Sequence, residues 1–185
     1  AFQQNNWRLA GENLGDYLEL HPHDVEILLK YAKAQLNTRP LKKGNLQQAL
    51  ASYRSVLRKD NQNSKAARNL IGLYLQMKIP SEAQLVAERF LTNKFDPNVK
   101  HMLAISFLHQ RKYDSAITKL KEIVDRAPEY EASYKTIAYI MENYYSADPE
   151  DIEKWHTLAI KNNPESPKVY INRAEFYTSC GKTEL

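Results

Sequence analysis

The chain has 185 residues, 43% of them hydrophobic, which is enough to bury a core. Its single cysteine, Cys180, leaves no internal disulfide framework and no cysteine-rich zinc site. Lysine and arginine number 26 against 22 acidic residues, and so small and scattered a surplus does not point to nucleic acid. No run approaches the roughly 18 consecutive apolar residues of a membrane helix, and no signal-peptide pattern starts at Ala1.

In chain order, Trp7, Leu9, Ala10, Leu14, Tyr17 and Leu18 form one face at helical spacing. Ala1-Phe2 reads as the remnant of a preceding helix, and Gln3 to Asn6 as a turn. After Pro22-His23, Asp24 is an N-cap for a helix marked by Ile27, Leu28, Tyr31, Ala32 and Leu36. A linker from Thr38 to Gly44 follows. Asn45 with Gln48 then reads as a capping box opening a helix with Ala49, Leu50, Tyr53, Val56 and Leu57. The next helix starts near Ser64 with Ala67, Leu70, Ile71, Gly72 and Leu75, and Pro80-Ser81 opens its partner with Ala83, Ala87, Phe90 and Leu91. Asp96-Pro97 is an N-cap followed by proline at the first helical position.

Leu103 to Phe107 belongs to the helix that follows, and Ala116, Ile117, Leu120, Ile123 and Val124 mark the cleanest amphipathic run, which Pro128 stops. Tyr134, Ile137, Ala138 and Met141 mark the next helix. Asp148-Pro149 opens another with Ile152, Trp155, Ala159 and Ile160, in which Ile152 stands where a small residue is expected. Ser166-Pro167 starts a last helix with Val169, Tyr170, Ala174 and Tyr177, ended by Gly181.

Ala104, Ala116 and Pro128 are spaced twelve residues apart. Small residues at two such places let two helices approach closely. With the proline that ends the pair, this frame resembles the tetratricopeptide repeat, a helix–turn–helix unit of about 34 residues. Small residues at Ala32, Gly72, Ala104, Ala138 and Ala174, spaced 40, 32, 34 and 36 apart, carry the resemblance along the chain. The Thr38–Gly44 linker departs from the frame by about five extra residues and the turn before Ile152 by about two.

The resemblance implies an all-α fold, a right-handed α-solenoid of stacked antiparallel helix pairs forming a superhelix. Residues 1–185 make one array: the second helix of a truncated repeat (1–22), repeats at 23–63, 64–96, 97–129 and 130–165, and the first helix of a truncated repeat (166–185). Both ends fall mid-motif, so a piece of a longer array is expected.

Other motifs carry little chemistry. Cys180-Gly181-Lys182-Thr183 looks like the end of a P-loop, but Phe176 stands where the first glycine belongs and a helix, not a strand, precedes it. Gly181 is therefore read as a helix C-cap. His21 and His23 lack further ligands for a metal. His156 with Glu153 reads as a surface pair on a helix, and Cys180 as a buried or half-buried thiol. Tyr17, Tyr31, Tyr53, Tyr134, Tyr170 and Tyr177 read as packing residues, whereas Tyr139 points away from the seam between helices.

In the resembled family the first helix of each pair lines a concave groove that holds peptides. Counting from the small residues places Leu29, Lys33, Asn37, Asn69, Gln76, His101, His109, Lys135, Tyr139, Asn143, Asn172 and Glu175 on that face. Amides there suit an extended backbone, and Lys33 and Lys135 suit carboxylates. The Lys-x-x-x-Asn and Lys-x-x-x-Arg clamp of chaperone-tail binders is not reproduced, because Leu73 follows Asn69 and Tyr139 follows Lys135. The expected function is a non-catalytic interaction module for a protein or peptide partner, with no cofactor and no metal. Membrane insertion, nucleic acid and small molecules are not expected. The alternatives are a regulatory or scaffolding segment of a larger enzyme or cell-envelope assembly and, more distantly, an RNA-binding helical repeat.

Overall fold

The computed structural model describes residues 6–180, and helix is the regular secondary structure among them. The elements are α1 (Trp7–Leu20), α2 (Val25–Asn37), α3 (Lys43–Lys59), α4 (Ser64–Gln76), α5 (Pro80–Leu91), α6 (Pro97–His109), α7 (Tyr113–Arg126), α8 (Ala132–Tyr144), α9 (Pro149–Asn162) and α10 (Pro167–Ser179). They fall into two units, one ending at Lys94 and one beginning at Phe95. The first holds α1–α5 and the second α6–α10. Within each unit every helix packs on the next in sequence, as short turns between antiparallel helices require. The Ala1-Phe2 remnant, most of the expected Gln3–Asn6 turn, the Gly181 cap and the Gly181-Lys182-Thr183 motif lie outside the described residues.

Several helix starts are capped as the sequence predicts. Asp24 accepts from the Ile27 amide at 3.0 Å, and Asp96 from Asn98 and Val99 at 2.9 and 3.2 Å. Each such cap stabilises its helix by about 1 kcal/mol. Asn63 caps α4 in the same way, accepting from Ala66 at 3.0 Å. Asp148 precedes Pro149 as expected but makes no side-chain cap bond.

At α3 the expectation fails. The helix starts at Lys43, so Asn45 is its third residue rather than its cap. The Asn45 carboxamide accepts from the Lys42 amide at 3.0 Å and donates to Gln35 of α2 at 2.6 Å. Buried Gln35 needs that partner, and the bond pins α3 to α2.

Close helix contact rests on small side chains. Ala32 and Ala49 in the first unit, and Ala104 and Ala116 in the second, are completely buried. On α1 the small pair is Ala10 and Gly11, and a Cβ added to Gly11 would come within 3.1 Å of Gln35 Nε2. Leu9 and Tyr17 leave the predicted α1 face and are exposed, because that face turns Ala10, Gly11 and Leu14 inward instead.

The caps also correct one register. Ala32 and Ala104 stand eight residues after Asp24 and Asp96, and eight residues after Asn63 stands Ile71, not Gly72. Ile71 is completely buried whereas Gly72 is only half-buried, and Ala83, twelve residues beyond Ile71, supplies the small side of this contact. Ile152 of α9 is buried at its non-small position, and Ala174 of α10 is exposed.

Tyr134 is buried and satisfied, donating to the Pro128 carbonyl and accepting from Asn162, each at 2.8 Å. Tyr53 is likewise buried, but Tyr170 is exposed, its hydroxyl reaching the Pro164 carbonyl. His156 is not at the surface. Its ring stacks on Phe176 at 5.0 Å, and burial lowers its pKa, while Glu153 salt-bridges Arg173. Cys180 is exposed rather than half-buried, because it stands at the C-cap of α10, beyond its packed face.

Candidate functional site

In the first unit, α2 and α4 border a cavity of about 860 Å³. Leu29, Lys33 and Asn37 enter it from α2 and Asn69 from α4, so the structure brings these sequence-predicted residues together. Gln76 is exposed near the end of α4 and does not line it, although Asn69, counted from the same Gly72, does. The corrected register puts Arg68 at the place on α4 that Leu29 holds on α2.

Five lining residues, Trp7, Lys30, Leu36, Tyr53 and Lys65, lie outside the groove set expected from the sequence. Trp7 comes from α1, where its spacing marked only an apolar face. Its ring lies 5.6 Å from Lys33 Nζ, a cation–π contact. Tyr53 comes from α3, where it reads as packing; it hydrogen-bonds Asn69, and burial raises its pKa. Lys65, one turn before Asn69 on α4, was legible from that spacing once the face was known. Of the cations here, Lys30 is paired with Glu26 at 2.6 Å, whereas Lys33 and Lys65 have no carboxylate partner among the described residues.

The second unit disposes of its predicted residues differently. Lys135 of α8 meets Glu175 of α10 at 3.4 Å. His101 of α6 lies 2.9 Å from the Thr136 hydroxyl of α8, and burial lowers its pKa. Asn143 donates to the Tyr139 carbonyl at 2.9 Å, as Asn37 of the first unit does to the Lys33 carbonyl at 2.8 Å. His109 is exposed at the end of α6, and Asn172 is half-buried on α10.

Tyr139 is exposed, as its position after Ala138 predicts, and meets Tyr144 edge-on at 6.0 Å. Tyr144 stacks on Tyr113 at 4.3 Å, and Tyr145 donates to Asp114, a bond that pushes its pKa up to about 12. This tyrosine cluster was not legible, because Tyr113 and Tyr144 sit 31 residues apart.

Two family models described as tetratricopeptide repeat match the sequence, one over residues 41–105 and one over residues 101–130. Residues 41–130 are tetratricopeptide repeats. No curated protein matches the chain at a significant level.

Among solved structures, a tetratricopeptide repeat protein from Parabacteroides merdae is 18% identical, with a TM-score of 0.71 over 98% of this chain and 70% of its own. PilW, described as a widely conserved type IV pilus biogenesis factor, is 15% identical, with a TM-score of 0.69 over 98% of this chain and 82% of its own. YrrB, described as a TPR protein with an unusual peptide-binding site, is 15% identical, with a TM-score of 0.59 over 94% of this chain and 87% of its own. These likenesses place the repeats in the α-solenoid class. The chaperone-tail clamp is absent from α4, where Leu73 after Asn69 is buried.

Proposed function

We propose that this chain is a non-catalytic protein-interaction module whose first unit holds an extended acidic segment of a partner in the cavity between α2 and α4. The observation that carries this reading is the convergence of Lys33 and Lys65, which have no carboxylate partner among the described residues, on one concavity that Asn37 and Asn69 also border. An amide has two N–H donors and an acceptor, so Asn37, which donates one N–H to the Lys33 carbonyl, can still meet a peptide backbone, ammonium groups pair with carboxylates, and Trp7 and Leu29 offer apolar surface between them. The likeness to YrrB, whose own description names a peptide-binding site, supports a peptide as the ligand class.

Fluorescence anisotropy with labelled peptides of alternating Glu and Ala, and of alternating Lys and Ala, tests this reading. The acidic probe is expected to bind and the basic one not. Lys33→Glu with Lys65→Glu is expected to weaken the acidic probe by about tenfold or more, on the order of 1.4 kcal/mol. Equal binding of the two probes, or an unchanged affinity in the double variant, would overturn the proposal.

A further inference from the structure

A second pocket lies in the first unit, bordered by α3, α4 and α5 and separate from the peptide cavity. It measures about 290 Å³. Its apolar lining is Leu57, Leu70, Tyr74, Val86 and Phe90, and its polar lining includes Arg54, Arg58, Arg89 and Glu82. On α4, Leu70 and Tyr74 turn into this pocket while Lys65 and Asn69 turn into the other cavity, so the two sites use different faces of one helix.

Three arginines and one glutamate line this pocket, an excess of positive charge. Arg54 and Arg58 stand four residues apart on α3, a spacing at which like charges repel. Arg54 is oriented from within: its guanidinium donates to the Tyr74 hydroxyl and lies 5.6 Å from that ring's centre. Arg58 and Arg89 are exposed and have no ion pair among the described residues. Half-buried Glu82 is not salt-bridged to any of the three. A ligand complementary to this lining carries an anion for the arginines, an apolar body for the floor and, beside the anion, an N–H donor for Glu82.

We propose that this pocket captures the C-terminal residue of a partner chain. The terminal carboxylate lies against Arg58 and Arg89, the last side chain, large and apolar, rests on Leu57, Val86 and Phe90, and the backbone N–H is donated to Glu82. At about 290 Å³ the cavity suits one large residue. Chemistry decides against a simple fatty or aromatic acid, which brings no donor and would leave Glu82 facing an anion.

The test uses a fluorescein-labelled Ser-Gly-Gly-Ser-Phe peptide as the free acid and as the C-terminal amide, followed by anisotropy. The acid is expected to bind at least tenfold more tightly than the amide. Arg58→Ala with Arg89→Ala, both exposed positions outside the helix seams, is expected to abolish that difference. The Lys33→Glu, Lys65→Glu variant is expected to retain it, which separates this site from the peptide cavity. Equal affinity for acid and amide would overturn the proposal, as would loss of binding in the lysine variant or competition by 3-phenylpropionate as effective as by the unlabelled peptide acid.

Discussion

In the first unit Lys33, Asn37 and Asn69 border an open cavity, whereas in the second Lys135 reaches Glu175 and His101 reaches Thr136. Both sets were chosen by the same counting from small residues. Lys33 and Tyr139 even hold the same place, one residue after Ala32 and Ala138. Repeat register therefore decides which side of the helix pair a residue faces. Whether that residue is available to a ligand depends on what the next pair offers it. Glu175 and Thr136 engage Lys135 and His101, each three residues before its repeat's alanine, a place that apolar Leu29 holds in the first unit.

The two units differ most in side-chain size at the repeat's small-residue position. Ile71 in the first unit and Ala104 in the second hold equivalent positions of opposite size, both completely buried. Ile71→Ala is expected to destabilise by about 2–5 kcal/mol, and Ala104→Ile by about 1–3 kcal/mol through overpacking. Urea unfolding measures both, and an Ile71→Ala variant as stable as wild type would return the register to Gly72.

Binding provides the next test. Lys135→Ala with Tyr139→Ala is expected to leave affinity for the acidic peptide within about twofold, because the second unit's cation is already paired. A loss as large as that of the Lys33, Lys65 variant would show that the pairing with Glu175 does not matter.

The units should also differ in their response to acid. His101 and His156, both in the second unit, have pKa values lowered by burial, so their protons bind more readily in the unfolded chain. Their contribution is fully present above the unfolded value of about 6.5 and is lost as pH falls through the window below it. The first unit's His21 and His23 are exposed. Hydrogen exchange, corrected for intrinsic rates, is expected to show α8–α10 loosening between pH 7.5 and 5.5 with α1–α4 unchanged. His156→Phe, which keeps the stacking on Phe176, should reduce the effect.

The smallest effect concerns turns. Lys78 in the first unit and Arg111 and Ser146 in the second have φ of 58°, 60° and 47°, in the left-handed region that side chains disfavour. Glycine at any of the three is expected to stabilise by at most about 1 kcal/mol, since relief of strain is partly offset by the unfolded chain's added freedom. A similar gain in both units by thermal melting would show that the turns, unlike the polar faces, behave alike.

The sequence alone was enough for the helices, their starts at Asp24, Asp96 and Pro80, the paired alanines and the repeat family, because each depends on residues within one or two turns of each other. It misread Asn45 as a cap, whereas the helix starts one turn earlier and the Asn45 oxygen reaches back to the Lys42 amide as the third helical residue. It placed His156 at the surface for want of seeing Phe176 arrive from α10. Which cations stay open was decided only by tertiary structure. The Lys33–Trp7, Arg54–Tyr74 and Lys135–Glu175 contacts join side chains 26, 20 and 40 residues apart. No helical period predicts such meetings, because they depend on which residues the neighbouring helix presents at the point of contact.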